Sequence, residues 1–295
     1  MTLDELIERR KIRYRQADGT HVRSEADALD FINDLGFVWL INLSDADLPS
    51  LEQANPGVYW RDDYKEKTRN AAWWWAWKQT LPGRKACCYG KVLRGRGTFI
   101  SWECFPLLYA VYASVNDYQD DYRDGILSRE EKRVLDLIAA HQEIPSPDLR
   151  RKFGPIGKEV TRALDRVLQH LQETFRITAA GGSLEGWTIH NWALVGDWVA
   201  EEHLDRARSL DLREAKKQLL LRYLRMSVAS SVGDIAWVFR WNRREVAELV
   251  QELVQSGDVG DRGSRHSWSD VLTVGLCAPT HNAQTPASIT IDCTI

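Results

Sequence analysis

Apolar residues recur at helical spacing near the N-terminus of the chain. Residues 24–35 read SEADALDFINDL, and Ser24 is a typical N-cap residue directly before the periodic segment. The residues on the shared apolar face are Ala28, Phe31, Ile32 and Leu35. Gly36 ends the predicted helix, and the apolar run over 37–43 then predicts a short buried strand or turn.

The second half of the chain repeats one order of elements: helix, short helix, longer helix and β-hairpin. In the first copy a helix begins at Ser128, and Glu131 three positions later completes a capping box. The short helix SPDLRRKF follows, and the helix over 156–174 carries an apolar stripe of Ile156, Val160, Leu164, Val167 and Leu171. The β-prone run RITAAGGSLEGWTIHNW predicts the hairpin, and the complete order is typical of a winged helix.

The second copy has the same order with different residues. Helices are predicted over 212–227, 231–241 and 242–258, and a wing is expected to begin at Val259. Because an accidental match would have to occur twice, the repetition favours tandem winged helices. Beyond Arg262 the chain has few charges and no helical stripe, which predicts an irregular or truncated end, with the alternative that the second wing uses part of this segment.

These patterns predict a mainly α protein with short β wings, of the α+β class, in four parts. Residues 1–125 are expected to form an N-terminal, mostly helical domain that is rich in tryptophan and in basic residues. Residues 126–208 are the first winged helix, residues 209–262 the second, and residues 263–295 the tail. A chain of 295 residues is long enough for two or three compact units.

Charge is distributed unevenly along the chain, although the formal net charge is only −3. Between Glu66 and Glu103 there is no carboxylate, and the run WWWAWK lies inside this segment. Its basic residues are Lys67, Arg69, Lys78, Arg84, Lys85, Lys91, Arg94 and Arg96. The glycines at 90, 95 and 97 predict a bent, exposed stretch.

The tryptophan run is either packed core or a contact surface. Large aromatic side chains are mostly buried, yet neither a helix nor a strand brings Trp73, Trp74, Trp75 and Trp77 to one face. We therefore expect most of these rings to pack, and Trp75 or Trp77 to remain exposed as a platform on which an unpaired base stacks. The nearby side chains expected to contact DNA are Lys78, Lys91, Arg94 and Arg96.

The longer helix of each repeat is a candidate recognition helix. In a helix-turn-helix the second helix enters the major groove, so its outward side chains can contact DNA. The candidates are Lys158, Arg162 and Arg166 on the first helix and Arg243 and Arg244 on the second. Acidic residues lie nearby on both helices, so an ordinary solvated face and a protein-interaction role remain alternatives.

Enzyme signatures are absent from the sequence, which has no P-loop, no Rossmann glycine fingerprint, no H-E-x-x-H and no serine elbow. The five cysteines lack C-x-x-C spacing and predict free buried thiols, so no metal or cofactor is expected. No apolar run approaches the roughly 20 residues that cross a bilayer. The mixed charges near the N-terminus differ from a signal peptide, and a cytoplasmic protein is expected, nucleoid-associated if bacterial.

Three stretches of the sequence resemble one family. The helix leading into LGFVWLIN, the later FISWECFPLLYAV, and the segment LLLRYLRMSVASSVGDIAWVFRW resemble winged-helix DNA glycosylases of the AlkZ/YcaQ type, and more closely the AlkZ-related branch. The likeness covers most of residues 24–262. It implies a C-shaped array of winged helices closed by a β-barrel, with DNA in the concave channel, and excision of alkylated bases or unhooking of crosslinks.

The resemblance also locates the family's catalytic signature. That signature is Q-x-Q or Q-x-D shortly after a Leu-Gly, where polar side chains position the water that attacks C1′ of the damaged nucleotide. Here Leu35-Gly36 is followed by Trp39 and Ile41 at the corresponding positions, and neither can hold a water or act as a base. No catalytic residue is therefore predicted.

The sequence as a whole predicts a protein that binds double-stranded DNA and recognises damaged, crosslinked or distorted duplex. The alternative is a winged-helix transcription regulator or protein-interaction module without enzymatic activity. The two differ in the salt dependence of binding, because contacts to phosphate weaken steeply with salt and an apolar interface does not.

Overall fold

The computed structural model of the chain describes residues 2–42, 48–55, 74–155, 157–184, 189–261 and 274–275. The expectations for Lys67, Arg69 and Trp73 lie outside these residues, as does most of the tail predicted over 263–295. Helices and short antiparallel sheets make up the described chain. The predicted fold class, mainly α with short β wings, is confirmed.

The N-terminal part begins with four short elements. They are α1 Leu3–Arg13, α2 Glu25–Leu35, β1 Phe37–Trp39 and α3 Leu51–Ala54. Helix α2 starts as predicted, because Ser24 Oγ accepts the Asp27 N–H at 3.1 Å while the Asp27 carboxylate accepts the Ser24 N–H at 3.0 Å. All three residues of β1 are buried, which confirms the short strand after Gly36.

The base-rich segment continues as helix α4 and a β-hairpin. Helix α4 spans Trp77–Gly83, and strands β2 Cys88–Leu93 and β3 Arg96–Ile100 form a sheet of order β1-β3-β2. The hairpin turn consists of Arg94 and Gly95, with φ of 57° and 68°, as a two-residue type I′ turn requires. The stretch is bent as expected, at this turn and at a register shift between Gly90 and Leu93. The expectation that it is exposed is wrong, because the residues of the paired strands are mostly buried.

The first predicted winged helix is present in the expected order. Helices α5 Phe105–Tyr112 and α6 Tyr118–Arg123 precede it. Its elements are α7 Arg129–His141, β4 Glu143–Pro145, α8 Ser146–Phe153, α9 Lys158–Glu173, β5 Ile177–Ser183 and β6 Ile189–Leu194. The capping box of Ser128 and Glu131 is formed at the start of α7. Strand β4 extends the wing to a sheet of order β4-β6-β5.

The second predicted winged helix follows two short helices, α10 Val195–Trp198 and α11 Glu201–Arg208. Its elements are α12 Leu212–Ser227, α13 Val232–Phe239, α14 Arg243–Gln255, β7 Gly260–Asp261 and β8 Val274–Gly275. Strands β7 and β8 pair in an antiparallel way, so the segment expected to be irregular supplies one wing strand.

One hydrophobic core runs through all three predicted folded parts. It includes Phe31 of α2, Leu135 of α7 and Leu220 of α12, each fully buried. Helix α4 packs against α2, β2 and β5, and therefore lies between the N-terminal sheet and the first wing. The three described cysteines, Cys87, Cys88 and Cys104, are free and buried as expected.

Candidate nucleic-acid interface

The tryptophans of WWWAWK pack against α4 and its surroundings. Trp77 is 0% exposed and Trp74 is 1% exposed, while Trp75 is partly buried. Trp75 forms an edge contact with Trp74 and lies under the Lys78 amino group, 3.2 Å from Nζ to the ring centroid. The expectation that Trp77 is a candidate for exposure is wrong, because α4 is covered on both sides. Trp75 stays the candidate for base stacking.

Lys78 differs from the other predicted DNA contacts because its side chain is inside the protein. It is 2% exposed, and burial lowers the pKa of its amine to about 6. A buried amine cannot reach a phosphate on the surface. Lys78 is therefore removed from the candidate DNA contacts.

The hairpin cations have two different surroundings. The Arg94 guanidinium lies 4.3 Å from the centroid of the Trp237 ring on α13, so it attaches the hairpin to the second winged helix. Lys91 and Arg96 are exposed. Within the described residues their side chains have no hydrogen bond or ion pair, although the Lys91 backbone N–H donates to Gln172 Oε1 at 2.9 Å.

Helix α9 presents Lys158, Arg162 and Arg166 to solvent at intervals of four residues. These three side chains form no hydrogen bond or ion pair within the part of the chain that the structure describes. The helix rises about 1.5 Å per residue, so the three charges form a stripe about 12 Å long. The Gly157 N-cap gives this helix no side-chain cap, and its first turn is also exposed.

A groove of about 1540 Å³ lies beside this stripe, between α7 and α9. Its aromatic lining is Tyr122 and Phe153, and its basic lining is Arg129, Lys132, Arg133, Arg162 and Arg166. Four carboxylates also face the groove. Asp136 pairs with Lys132 at 2.6 Å and Asp165 pairs with Arg150 at 3.6 Å, while Glu130 and Glu159 have no ion pair within the described residues. On α9 the charged side chains without an ion pair in the described residues are therefore three cations, Lys158, Arg162 and Arg166, and one carboxylate, Glu159.

The second candidate recognition helix, α14, presents a smaller basic surface. Arg243 and Arg244 are both exposed at the start of α14, after the Asn242 N-cap. Arg244 Nε lies 3.2 Å from Glu248 Oε1, so its charge is partly used within the helix. Arg243 has no ion pair among the described residues.

Apolar residues occupy the positions of the family's catalytic signature, and the structure packs both of them into apolar surroundings. Trp39 is 1% exposed and pairs with Thr98 of β3, and Ile41 packs against the core. Sequence reasoning missed a polar pair beside them. The Asn42 N–H donates to Glu52 Oε2 at 3.1 Å, and burial raises the pKa of the Glu52 carboxyl. Nothing in the sequence separates Glu52 from an ordinary acid in the first turn of a helix.

The fold and this surface define a class of protein, tandem winged-helix proteins with an exposed basic helix. The model of the family described as AlkZ related matches residues 22–240, and the chain belongs to the AlkZ-related family. No curated protein matches the chain.

Among solved structures, the chain is similar to the DNA glycosylase AlkZ of Streptomyces sahachiroi. The TM-score is 0.53 at 12% sequence identity, over 94% of this chain and 70% of the AlkZ chain. At this identity the likeness shows a shared fold.

Across the described residues, no helix has the length and apolar character needed to cross a membrane. The same residues contain no group of three or more His, Cys, Asp or Glu side chains placed to hold a metal.

Proposed function

We propose that the protein binds double-stranded DNA and recognises damaged or distorted duplex. The observation that carries this proposal is the stripe of Lys158, Arg162 and Arg166 on α9, whose charges have no partner within the described protein. Membership in the AlkZ-related family supports DNA as the ligand. The likeness in fold to a DNA glycosylase supports the same ligand class.

The distribution of ion pairs supports a nucleic-acid partner for this stripe. Some cations elsewhere in the chain are paired, as Arg213 and Lys217 are with Glu252 on α14. Leaving three cations unpaired on one helix face raises local repulsion, and a row of phosphates relieves it. Lys91, Arg96 and Arg243 are further exposed cations available to the same ligand.

The test is a salt titration of duplex binding. Changing Lys158, Arg162 and Arg166 together to Gln removes about three phosphate contacts. The dependence of log K on log salt is expected to become shallower by roughly 2 to 3, since each contact contributes about 0.9. Fluorescence anisotropy with an intact duplex and with a duplex that contains a mismatch or an abasic site measures both the affinity and the preference for distortion.

A matched control separates local contact from net charge. Arg9, Arg23 and Arg206 are exposed cations outside α9, and changing all three to Gln alters the net charge by the same amount. This control is expected to keep the wild-type slope. If the two triple variants had the same slope of log K against log salt, the proposal that the α9 stripe contacts DNA would be refuted. Binding that does not depend on salt would instead favour the protein-interaction alternative.

A further inference from the structure

The face of α9 that carries the basic stripe continues beyond it. An α-helix turns by about 100° per residue, so Arg162 and Arg166 lie within about 80° of Lys158 around the helix axis. By the same geometry Gln169 and Glu173 lie within about 60° of Lys158. The stripe and these two side chains therefore share one face of α9, which is about 22 Å long.

The β2–β3 hairpin covers the C-terminal end of this face. A Cβ at Gly95 in the hairpin turn would lie 3.2 Å from Glu173 Oε1, and it would also meet the Gln169 amide. The neighbouring Arg94 is held over the Trp237 ring of α13. A DNA major groove is about 12 Å wide and admits one helix, so the hairpin turn keeps this end of α9 out of such a groove.

Both glutamines at this end of α9 form hydrogen bonds within the protein. Gln169 Nε2 donates to Glu173 Oε1 at 3.0 Å. Gln172 Nε2 donates to the Leu168 carbonyl at 2.7 Å, and Gln172 Oε1 accepts the Lys91 N–H at 2.9 Å. A glutamine reads adenine through both the oxygen and the nitrogen of its amide. Neither glutamine is therefore placed to read a base.

The spacing of the stripe fits the backbone of one DNA strand. Neighbouring cations of the stripe are four residues apart, which is a rise of about 6 Å along the helix. Successive phosphates of one strand are about 6 to 7 Å apart, because each nucleotide rises about 3.4 Å and also turns about the duplex axis. The stripe thus matches three consecutive phosphates.

The hairpin adds two cations where the stripe ends. Lys91 and Arg96 are both exposed. The Lys91 N–H donates to a glutamine of α9, and Arg96 directly follows Gly95, which packs against that helix. The Glu173 carboxylate at this junction pairs with Arg240 at 2.7 Å, so its charge is compensated within the protein. The stripe and the two hairpin cations therefore form one basic row.

Carboxylates near the basic row are fewer than its cations. Glu159 is exposed, has no ion pair within the described residues, and lies at the edge of the face, about 100° from Lys158. Asp165 pairs with Arg150 at 3.6 Å. The part of α9 and the hairpin that the structure describes thus presents five cations and one carboxylate without ion pairs. A row of phosphates is the partner that this charge pattern fits.

We propose that α9 and the β2–β3 hairpin together bind the phosphates of a single DNA strand, with Lys158, Arg162 and Arg166 at one end of the basic row and Lys91 and Arg96 at the other. This inference rests on the proposed DNA-binding function. The basic row holds the backbone of one strand, and it leaves the base edges of the major groove unread. Its contacts do not depend on base sequence and do not require the complementary strand.

The test compares the full chain on a duplex of about 20 base pairs and on single-stranded oligo(dT) of the same length, by fluorescence anisotropy over a range of salt concentrations. The hairpin variant, Lys91→Gln with Arg96→Gln, removes two phosphate contacts. The slope of log K against log salt should become shallower by about 1.8 on the duplex and by about 1.4 on oligo(dT), since each contact contributes about 0.9 and about 0.7. Arg9→Gln with Arg23→Gln is the matched control, because both residues are exposed on other elements and the net charge changes equally.

The variant with Lys158, Arg162 and Arg166 changed to Gln is measured on the same two ligands. On oligo(dT) its slope should become shallower by about 2, because a single strand uses the same contacts. An effect of this variant on the duplex alone would overturn the inference while the proposed function stands. Wild-type slopes for the hairpin variant would do the same. A wild-type protein that does not bind duplex DNA overturns both.

Base readout is tested with a duplex in which 7-deazaguanine and 7-deazaadenine replace every purine. This change removes the purine N7 acceptors from the major groove and keeps every phosphate. The Kd of the wild-type protein is expected to stay within about twofold of its value for the unmodified duplex. A loss of about tenfold or more would show that base edges are read, and it would overturn the inference but not DNA binding.

Discussion

His190 is a single residue whose protonation is controlled by its surroundings. Its ring lies between Tyr89 and Trp192, at centroid distances of 5.8 and 5.4 Å, and its Nδ1 is buried without a partner in the described chain. Burial and the positive charges of Lys78 and Lys91 lower the pKa of this imidazole to about 3. In the folded protein the His190 imidazole is therefore neutral throughout the mildly acidic range.

His190 should make the protein sensitive to acid. The unfolded chain takes up this proton near pH 6.5 and the folded chain only near pH 3, so stability is lost as the pH falls between these values. His190→Phe keeps a ring and removes the titration. The free energy of unfolding is measured in urea at pH 7, 5 and 4. Relative to the wild type, that of the variant should rise by about 1.4 kcal/mol for each pH unit below about pH 6. If the unfolding free energies of the variant and the wild type depended on pH in the same way, this pKa would be contradicted.

At the scale of elements, the first wing and helix α4 are in close contact. Strand β5 passes α4 at Gly181, which has a φ of 115°. A Cβ at Gly181 would lie 2.8 Å from Gly83 Cα and 3.3 Å from the Gln79 carbonyl oxygen. Two backbones meet here, so the contact between N-terminal part and first wing depends on the absence of a side chain.

Gly181→Ala is expected to destabilise the protein by about 2 to 3 kcal/mol, since both the φ value and the backbone contact oppose a methyl group. The matched control is Gly196→Ala, because a Cβ there meets nothing within 4 Å. Chemical unfolding of both variants measures the difference. Equal stabilities would show that α4 and β5 separate easily to admit the methyl group.

At the scale of the whole molecule, the three predicted parts are joined by polar contacts as well as by the core. Arg240, the C-cap residue of α13, forms two hydrogen bonds with the Glu173 carboxylate on α9, at 2.7 and 3.1 Å. The Tyr112 hydroxyl donates to the Phe239 carbonyl at 2.8 Å, and Arg10 Nε donates to the Ser227 carbonyl at 2.8 Å. These contacts connect the second winged helix to the rest of the described chain.

Because the core is continuous, unfolding is expected to be one cooperative transition. Tyr112→Phe leaves the Phe239 carbonyl without this donor and should cost about 1 kcal/mol. Its midpoint should shift equally in tryptophan fluorescence and in far-ultraviolet circular dichroism. Tyr122→Phe is the control, since the Tyr122 hydroxyl donates no hydrogen bond within the described residues. Two separate transitions would show that the second winged helix unfolds by itself.

The amino-acid sequence predicts some features of the candidate site and does not predict others. The stripe of Lys158, Arg162 and Arg166 follows from helical spacing, because apolar residues at intervening positions must face the core. The burial of Trp77 and Lys78 could not be read in this way. Helix α4 is short and is covered by elements from distant segments, β5 among them, so its periodicity does not reveal a free face.

The sequence by itself determined the helices, their caps and the two repeats, because these depend on interactions three or four residues apart. It also showed that Trp39 and Ile41 cannot perform the chemistry of the family's signature. The tertiary structure alone decided which cations remain free and that Glu52 meets Asn42 beside β1. Those relations join segments that are distant in sequence, and the energy that holds them comes from packing and backbone pairing that local pattern does not record.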